Sequence, residues 1–518
     1  MSDRPDFLVI MTDQHRWDWL GCNGHSVLRT PHIDSLAQGG TSFGQYFVAS
    51  PVCMPNRASF MTGRYPSVHG LRYNGCHLPL TANTFVDVLR AAGYQTASVG
   101  KSHLQPMIDK TVAPKGKTGS IAEAWKTDFT AYGHEQPSRY SGTENYDLPL
   151  PYYGFDHIDM VTRHGTEASG HYRQWLRRNY PNAAENPLRQ LPHNYTCPQA
   201  LRTDIPEDAY PTAYIRDSAV RHLQANADNE DPLFTFVSFP DPHHPFNPPG
   251  RYWDMYNPDQ FALGPRFADH VAPPPPLMAL YEDFVAGRAP DARTFAFMAR
   301  EQHLREAMAL TAGMIAMIDD AVGAILSALE ESGRRDRTVV IFTSDHGDYL
   351  GDSDLLLKGP WMRDSINRVP LIWNDPDLSQ LVARNDALAS TVDIAPSILA
   401  RAGLLPYAGM QGRSFLAELQ GDRSLARASL LIEYNDANMR FGYSAPARIR
   451  SLVTDDWALR VPGGESWGEL YDRRRDPDQV KNLWDAPDHA ETRRKCTAQL
   501  LDHLIAQMDE SPRARHPA

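Results

Sequence analysis

The sequence predicts an α/β protein in which a mixed sheet lies between helices, followed by a smaller antiparallel sheet with one helix. Three continuous apolar runs, at 7–12, 232–239 and 338–344, predict buried strands. Apolar runs without alternation are typical of strands that are covered on both faces. A helix at 84–93 followed by a short strand at 95–99 adds the β-α-β rhythm of a sheet with helical connections.

The domain organisation follows from length and from a change in pattern. A chain of 518 residues exceeds one ordinary domain, so we expect a large domain at 1–425 and a C-terminal subdomain at 426–518. Short, partly alternating runs after residue 425 predict the antiparallel sheet, and a final helix is expected at about 492–508. Apolar residues at steps of three and four from Leu304 to Leu329 predict a long core helix.

Two stretches of weak periodicity, at about 105–231 and 254–298, read as excursions from the large domain. The first is rich in aromatic residues and proline, and aromatic loops commonly shape a binding cleft. We therefore expect substrate selection in the first stretch, although no single residue is identified. Arg173, Arg177 and Arg178 lie in this stretch, and their plain interpretation is a solvated helix face rather than part of the cleft.

Composition narrows the function classes. The formal net charge of −12 argues against general affinity for nucleic acid or for an anionic membrane, so an anionic substrate needs a local positive site. The five cysteines are scattered, odd in number and without CxxC spacing, which indicates neither a zinc site nor a disulfide framework. The N-terminus shows no apolar leader, so a cytoplasmic location is expected. A homo-oligomer is left open.

The stretch from Cys53 to Arg64 carries the chemistry. Pro55 suits the first turn of a helix and Gly63 suits its end, so the stretch predicts a loop that runs into a short helix. The Cys53 sulfur then lies at a helix N-terminus, where backbone N–H groups favour anions, and Arg57 is one turn away. This pattern suits a nucleophile for a sulfate or phosphate ester, whereas a lone cysteine is more often a buried structural residue.

Polar residues also follow the predicted buried strands. Because ligands in open α/β folds gather at the carboxyl ends of parallel strands, these residues are candidates for one site. They are Asp13, Lys101, His103, His243, Asp345 and His346. Adjacent residues of an extended segment face opposite ways, so His243 and His244 are not expected to act on one atom. Taken singly, each of these residues has an ordinary alternative as a cap, a solvated side chain or a turn residue.

The Cys53-x-Pro-x-Arg57 pattern with Thr-Gly-Arg after it resembles the signature of the type I sulfatases, members of the alkaline phosphatase superfamily. The resemblance implies an alkaline-phosphatase-like fold. It also implies that a formylglycine-generating enzyme oxidises Cys53 to formylglycine during maturation, and that the hydrate of this group is the nucleophile. Asn56 stands where Ser or Ala is more usual in that family.

Further motifs extend the resemblance over nearly the whole chain. Asp13-Gln14, Gly100-Lys101-x-His103, Pro242-His243-x-Pro245, Ser344-Asp345-His346-Gly347 and Lys358 are each similar to a family motif. Gln14 replaces the second acid of many members. The implied ligands of one divalent metal are Asp13, Cys53, Asp345 and His346. Carboxylates suit Ca²⁺ whereas an imidazole shifts preference towards Mn²⁺, so both ions remain candidates.

The resemblance also implies roles for the remaining residues. Arg57 holds the nucleophile together with the metal, Lys101 and Lys358 offset charge on the ester oxygens, His243 is the acid for the leaving oxygen, and His103 takes a proton from the second hydroxyl. The implied reaction is hydrolysis of a small-molecule sulfate ester.

Two alternatives to a sulfatase remain open. The first is a phosphonate monoester hydrolase, a related class in which an Asn binds the ester and a His stands at the position of His346. Asn74 fits that Asn, although its Asn-Gly pair is also typical of a plain turn. Lys101 and His103 favour a sulfatase, because phosphonate monoester hydrolases carry hydroxyl residues there. The other alternative is a non-catalytic protein that binds anions with unmodified Cys53.

Overall fold

The structure, a computed structural model, describes residues 4–110, 124, 128–288, 295–378 and 381–516. Its strands are β1 (Asp6–Thr12), β2 (Thr41–Phe43), β3 (Tyr46–Phe47), β4 (Gln95–Gly100), β5 (His157–Thr162), β6 (Ser169–Gly170), β7 (Leu233–Ser238), β8 (Phe297–Met298), β9 (Thr338–Ser344), β10 (Leu355–Leu356), β11 (Leu371–Asn374), β12 (Arg384–Asn385), β13 (Ala389–Ser390), β14 (Ser429–Asn435), β15 (Arg448–Thr454), β16 (Trp457–Pro462) and β17 (Glu469–Asp472).

The same described residues form the α-helices of the protein. They are α1 (Pro31–Gln38), α2 (Cys53–Thr62), α3 (Pro66–His69), α4 (Phe85–Ala91), α5 (His171–Asn179), α6 (Pro181–Glu185), α7 (Pro211–Ala225), α8 (Pro275–Val285), α9 (Glu301–Glu331), α10 (Asp364–Asn367), α11 (Ile394–Arg401), α12 (Leu416–Leu419) and α13 (Ala490–Ala506).

One mixed sheet organises the large part of the molecule. Within the described residues its strand order is β12-β2-β11-β9-β1-β7-β4-β5-β6. β1 lies near the centre and runs parallel to β7 and β9, so that Ile10 is opposite Val237 and Phe342. β11 is antiparallel to both β9 and β2, which makes the sheet mixed. The predicted α/β architecture is therefore confirmed.

Both faces of the sheet are covered by helices, which explains the unbroken apolar runs. Along β1, Phe7, Val9 and Met11 pack in the core that includes α2, α4 and α11. The alternate residues Leu8 and Ile10 pack in a second core with α1, α7 and α9. Since successive side chains of a strand point to opposite faces, a strand between two helical layers needs apolar residues at every position.

Helix α9 is the long core helix predicted from the step of three and four. It spans 31 residues, and Gly333 follows it with a φ of 68°, a conformation in which glycine meets no steric cost. By length and composition α9 could cross a membrane, but 83% of its most apolar window is buried inside the protein. A core helix meets the same criteria, so this feature is weak evidence for a membrane span.

The predicted C-terminal antiparallel sheet is confirmed as β14-β15-β16-β17, and α13 packs against it. Leu452 and Leu459 of the sheet and Leu500 of α13 share one apolar cluster with Tyr65 and Val392 of the large part. The sheet thus has a packed contact with the rest of the protein. The division at residue 425 remains a prediction.

The first of the two expected excursions, at about 105–231, contains elements of the core. β5 pairs with β4 in the main sheet, and α7 packs against α9, although neither element was predicted. Their apolar residues alternate with polar ones too irregularly to give a clear period. Residues 111–123, 125–127 and 289–294, which belong to the same excursions, lie outside the described residues.

Candidate active site

The carboxyl ends of β1, β4, β7 and β9 bring the candidate residues to one edge of the sheet. Short backbone hydrogen bonds hold the loops in place just beyond these strand ends. The Asp13 N–H donates to the carbonyl of Asp241 at 3.1 Å, and the Lys101 N–H donates to that of Ser238 at 2.9 Å. The Asp345 N–H donates to the carbonyl of Thr12 at 3.1 Å. Loops that are separated by hundreds of residues therefore form one site, as expected for parallel strands.

Helix α2 begins at Cys53, as the sequence predicted, and all ten of its residues are buried. Gly63 follows it with a φ of 62°. Asn56 holds the start of the helix: its Oδ1 accepts the Ala49 N–H at 2.9 Å, and its Nδ2 donates to the Asp345 carbonyl at 2.6 Å. The Cys53 side chain is thereby fixed at a buried helix N-terminus, against the loop that follows β9.

Four buried side chains form a group that is suited to a metal ion. One ligand atom each from Asp13, Cys53, Asp345 and His346 lies within 4.8 Å of the others. Cys53 Sγ is 3.0 Å from His346 Nε2 and 3.9 Å from Asp13 Oδ1. Two carboxylates with one imidazole suit a hard or borderline divalent cation, so the residues present fit the implied metal.

Arg57 ties the two carboxylates together. Its Nε donates to Asp345 Oδ2 at 2.7 Å and its Nη2 to Asp13 Oδ2 at 3.3 Å, with 1% of the side chain exposed. Its Nη1 donates to the Lys101 carbonyl at 2.9 Å and to Ser238 Oγ at 2.8 Å. One guanidinium thus fixes both acidic residues relative to β4 and β7, which matches the fork geometry of arginine.

Lys101 is buried and pairs with Asp13 Oδ2, the same oxygen that Arg57 contacts. Its Nζ also lies 2.6 Å from His164 Nε2. The His164 ring stacks on His243 with a centroid distance of 3.6 Å, and 21% of the His164 side chain is exposed. Asp13, His164 and His243 form a second group with metal-binding geometry, which shares Asp13 with the first.

Lys358 contacts both Gln14 and His243. Its Nζ donates to Gln14 Oε1 at 2.9 Å and lies 2.9 Å from His243 Nε2. Gln14 Nε2 in turn donates to Asp348 Oδ2 at 2.5 Å and lies 3.2 Å from His244 Nδ1. Gln14 is therefore part of the site, held between Lys358 and Asp348.

The expectation that His243 and His244 face opposite ways is wrong. Their rings stack with centroids 4.0 Å apart and an interplanar angle of 25°. The segment is a turn rather than an extended strand, so the alternation of a strand does not apply to it. His243 contacts Lys358 whereas His244 contacts Gln14, so both histidines line the same region.

His103 lies beside Lys101 and has a backbone φ of 59°. Its N–H donates to Glu135 Oε2 at 2.8 Å, and the same carboxylate accepts the N–H groups of Leu104 and Gln105. The His103 Nδ1 atom is buried without a hydrogen-bond partner among the described residues. An unpaired buried nitrogen is costly, and in His103 it lies beside Lys101 at the end of β4.

Asn74 is exposed beside the start of α2, where its Oδ1 accepts the Met54 N–H at 3.2 Å. This contact satisfies one of the free N–H groups of the helix N-terminus. Asn74 is therefore near Cys53, and its predicted role as a substrate ligand remains a prediction.

The charges of the site favour the ionised forms of Asp13 and Cys53 and lower the pKa values of both. Burial alone would raise the pKa of Asp13, but Lys101 and the other nearby basic groups hold it well below its usual value. Burial and Asp13 would raise the pKa of the Cys53 thiol, yet Lys358, His346 and Lys101 lower it overall. The basic side chains thus create the local positive site that an acidic protein needs to bind an anion.

Sequence reasoning missed Asp348, which directly follows the Ser-Asp-His-Gly motif, and also His164 and Glu135. His164 follows β5, and Glu135 follows a short 3-10 helix, in the stretch where periodicity is weak. No motif or apolar run precedes either residue, so the sequence carried little signal for them. If β5 had been predicted, the position of His164 two residues after its end would have marked this histidine as a candidate.

Removal of divalent cations is expected to destabilise the protein. A cation that binds Asp13, Cys53, Asp345 and His346 only in the folded state raises the free energy of unfolding by about 2.7 kcal/mol at a free concentration of 100 Kd. We expect EDTA to lower the melting temperature in scanning calorimetry and excess Ca²⁺ or Mn²⁺ to restore it. The ion that restores the melting temperature more effectively is the one that the site prefers. Asp345→Asn is the matched control and should respond less to either ion. Equal melting temperatures with EDTA and with both ions would contradict a metal site.

Comparisons with known proteins agree with this geometry. A sequence model of the family described as Sulfatase matches residues 5–404, and one described as N-sulphoglucosamine sulphohydrolase, C-terminal, matches residues 356–507. The chain is 28% identical to the sulfatase YidJ of Escherichia coli (strain K12), over 97% of this chain and 87% of that protein. It is 26% identical to an arylsulfatase of Clostridium perfringens, over 94% of this chain and 92% of that protein.

The fold is also similar to a solved structure. The phosphonate monoester hydrolase of Agrobacterium radiobacter superposes with a TM-score of 0.78 at 24% identity, covering 98% of this chain and 97% of that one. At this identity the likeness concerns the fold alone.

Proposed function

This chain belongs to the sulfatase family and is a hydrolase of sulfate esters, and from that premise we propose that its nucleophile is formylglycine made from Cys53 and that one divalent cation completes the site. The observation that carries the proposal is the buried group of Asp13, Cys53, Asp345 and His346 at the start of α2. The cysteine stands at a helix N-terminus among metal-ligand side chains, which an inert structural cysteine does not need.

The divalent cation and the modified Cys53 would each supply defined chemistry. When bound, the cation polarises an ester oxygen and favours deprotonation of a hydroxyl, and modification of Cys53 supplies that hydroxyl in place of the thiol. Asp13, Asp345 and His346 are the side chains that would hold the cation, whether Ca²⁺ or Mn²⁺. A formylglycine-generating enzyme acting during maturation, and a cytoplasmic location, remain predictions.

The remaining side chains bind and orient the ester. Arg57 keeps Asp13 and Asp345 in fixed positions through its hydrogen bonds to both. Lys101 contacts His164 and Lys358 contacts the His243 ring stacked on it, and the two ammonium groups offset charge that develops on the non-bridging oxygens. Preorganised charge of this kind is typically the largest contribution to such a reaction.

The leaving oxygen takes its proton from the pair Lys358 and His243. His243 Nδ1 lies 2.5 Å from the carbonyl of His244, which only accepts, so Nδ1 carries a proton and Nε2 accepts from Lys358. A proton at Lys358 Nζ can therefore pass to the leaving oxygen directly or through His243 Nε2. His103 Nδ1, which is free among the described residues, is the proposed acceptor for a proton of the modified Cys53.

A phosphonate monoester hydrolase is the second candidate on the same site. Asn74 beside α2 and the imidazole of His346 in the ligand group favour it. Lys101 and His103 favour the sulfatase, because the sulfatase motif that this stretch resembles carries Lys and His, whereas phosphonate monoester hydrolases carry hydroxyl residues at these positions.

Two measurements test the proposal together. Mass spectrometry of the tryptic fragment that ends at Arg57 is expected to show a loss of about 18 Da at Cys53, as conversion of a thiol to an aldehyde requires. Paired assays should give a higher kcat/KM for 4-nitrophenyl sulfate than for 4-nitrophenyl phenylphosphonate. The reverse preference would support the second candidate. Unmodified cysteine with no turnover of either ester would support the non-catalytic alternative.

A further inference from the structure

A pocket of about 390 Å³ lies beside the active site, between the loop after β4 and helix α5. Three arginines, Arg163, Arg173 and Arg177, line it together with the acidic residues Asp109 and Glu167. A cluster of arginines around one pocket contrasts with the formal net charge of −12 of the whole chain. The reaction proposed above uses none of these residues.

Both acidic residues of the pocket already have partners. Glu167 Oε2 pairs with Arg163 Nη1 at 3.1 Å, four residues away in sequence. Asp109 Oδ1 accepts the N–H of Ser138 at 3.0 Å. Among the described residues neither carboxylate pairs with Arg173 or Arg177, so the charge of these two arginines is not neutralised inside the pocket.

Arg173 is held in place without a counter-ion. Only 8% of the residue is exposed, and its Nε and Nη2 donate to the carbonyls of Ala168 and Thr166 at 3.0 and 2.9 Å. Its Nη1 has no hydrogen-bond partner among the described residues. A buried guanidinium without an anion is costly, so this arrangement is one that a bound anion would stabilise.

Arg177 lies one turn further along α5 and, like Arg173, donates to backbone carbonyls rather than to a carboxylate. Its Nη1 donates to the carbonyls of Tyr140 and Gly142 at 2.6 and 2.9 Å. Carbonyl contacts orient a guanidinium without neutralising it, which leaves its fork free to bind an anion. The sequence alone left this helix face open between a cleft wall and a solvated surface, and the burial of Arg173 excludes the solvated reading for that residue.

The pocket and the active site share a wall. Arg163, which lines the pocket, directly precedes His164, whose Nε2 lies 2.6 Å from Lys101 Nζ in the active site. Consecutive Cα atoms are only about 3.8 Å apart, so the two sites adjoin at this step of the chain. Arg163 Nε is 3.4 Å from the carbonyl of Met107, in the loop that carries Lys101 and His103.

We propose that this pocket is a second anion subsite, which binds a sulfate or carboxylate group of the same substrate whose sulfate ester lies at Cys53. The preferred substrate is therefore a sulfate ester that carries at least one further acidic group. The inference rests on the proposed function for the scissile ester only. Planar guanidinium groups match the oxygens of a sulfate or carboxylate, and the adjacent residues Arg163 and His164 join the pocket to the active site, so one molecule with two acidic groups can contact both.

Binding without turnover tests the subsite. We would titrate sucrose octasulfate and, separately, inorganic sulfate into the full-length Cys53→Ser protein by isothermal calorimetry. Sucrose octasulfate is expected to bind at least about tenfold more tightly than inorganic sulfate, because charge-assisted contacts in a second subsite add to those of the first. Arg177→Gln should raise the Kd of sucrose octasulfate about tenfold while that of inorganic sulfate changes little.

Arg178→Gln is the matched control. Arg178 is the next residue of α5, is exposed, contacts the carbonyl of Thr143 and does not line the pocket. It should leave both Kd values unchanged. Arg163→Gln provides a second pocket variant if Arg177→Gln fails to fold, and only variants with an unaltered melting temperature are compared.

Three outcomes would overturn the proposal. Equal effects of Arg177→Gln and Arg178→Gln would indicate general charge attraction. No effect of either pocket variant would exclude the pocket. Two bound inorganic sulfates with no tighter binding of sucrose octasulfate would assign the pocket to a separate free anion. Because the assay needs no hydrolysis, its result is independent of whether the proposed reaction occurs.

Discussion

Replacing Cys53 with serine is expected to lower kcat for 4-nitrophenyl sulfate by at least about 10³-fold, as loss of a catalytic nucleophile typically does. Serine keeps a hydroxyl at the start of α2 and can still be sulfated. It has no second hydroxyl on the same carbon, so the covalent ester cannot be released by elimination. Rapid-quench kinetics should therefore show about one equivalent of 4-nitrophenol per enzyme, followed by very slow turnover.

Cys76→Ser is the control for this experiment. Cys76 is partly buried and lies in the turn that follows Asn74, but it is not part of the metal-ligand group. Its replacement should leave kcat close to that of the unaltered enzyme. If Cys53→Ser sustained many turnovers at the normal rate, the proposed nucleophile would be wrong.

Replacing Arg57 with alanine is expected to lower both stability and activity. Arg57 is almost fully buried and contacts two buried carboxylates, Asp13 and Asp345. Removing one partner of a buried ion pair typically costs about 3–5 kcal/mol in the free energy of unfolding, because the remaining charge is left without compensation. Chemical denaturation in the presence of EDTA should show this loss, and kcat/KM should become undetectable.

Excess divalent cation is expected to restore part of the stability lost in Arg57→Ala, because a cation neutralises the same two carboxylates. Activity should not return, since the guanidinium also orients these residues. Arg90→Ala is the control: Arg90 pairs with Asp156 at the surface, with 44% and 40% of the side chains exposed. Surface pairs contribute little to stability. An Arg57→Ala protein as stable as Arg90→Ala would contradict the central role of Arg57.

Much of the fold was predictable because its signals are local. The runs that became β1, β7 and β9 lie between two helical layers, and full burial on both faces leaves an unmistakable apolar pattern. By contrast β5 begins with His157 and Asp159 lies in its middle, so its membership of the main sheet left no such pattern. Tertiary pairing with β4, rather than local propensity, decides that strand.

The sequence by itself determined the strand-end positions of Asp13, Lys101 and Asp345, and the helix that starts at Cys53, because strands, caps and helix ends depend on neighbouring residues. Only the tertiary structure decided that His164 stacks on His243 and that Arg173 is buried beside the site. These contacts join side chains from segments that are distant in sequence. Periodicity reports which face of an element is covered, but it carries no information about which side chain of another segment covers it.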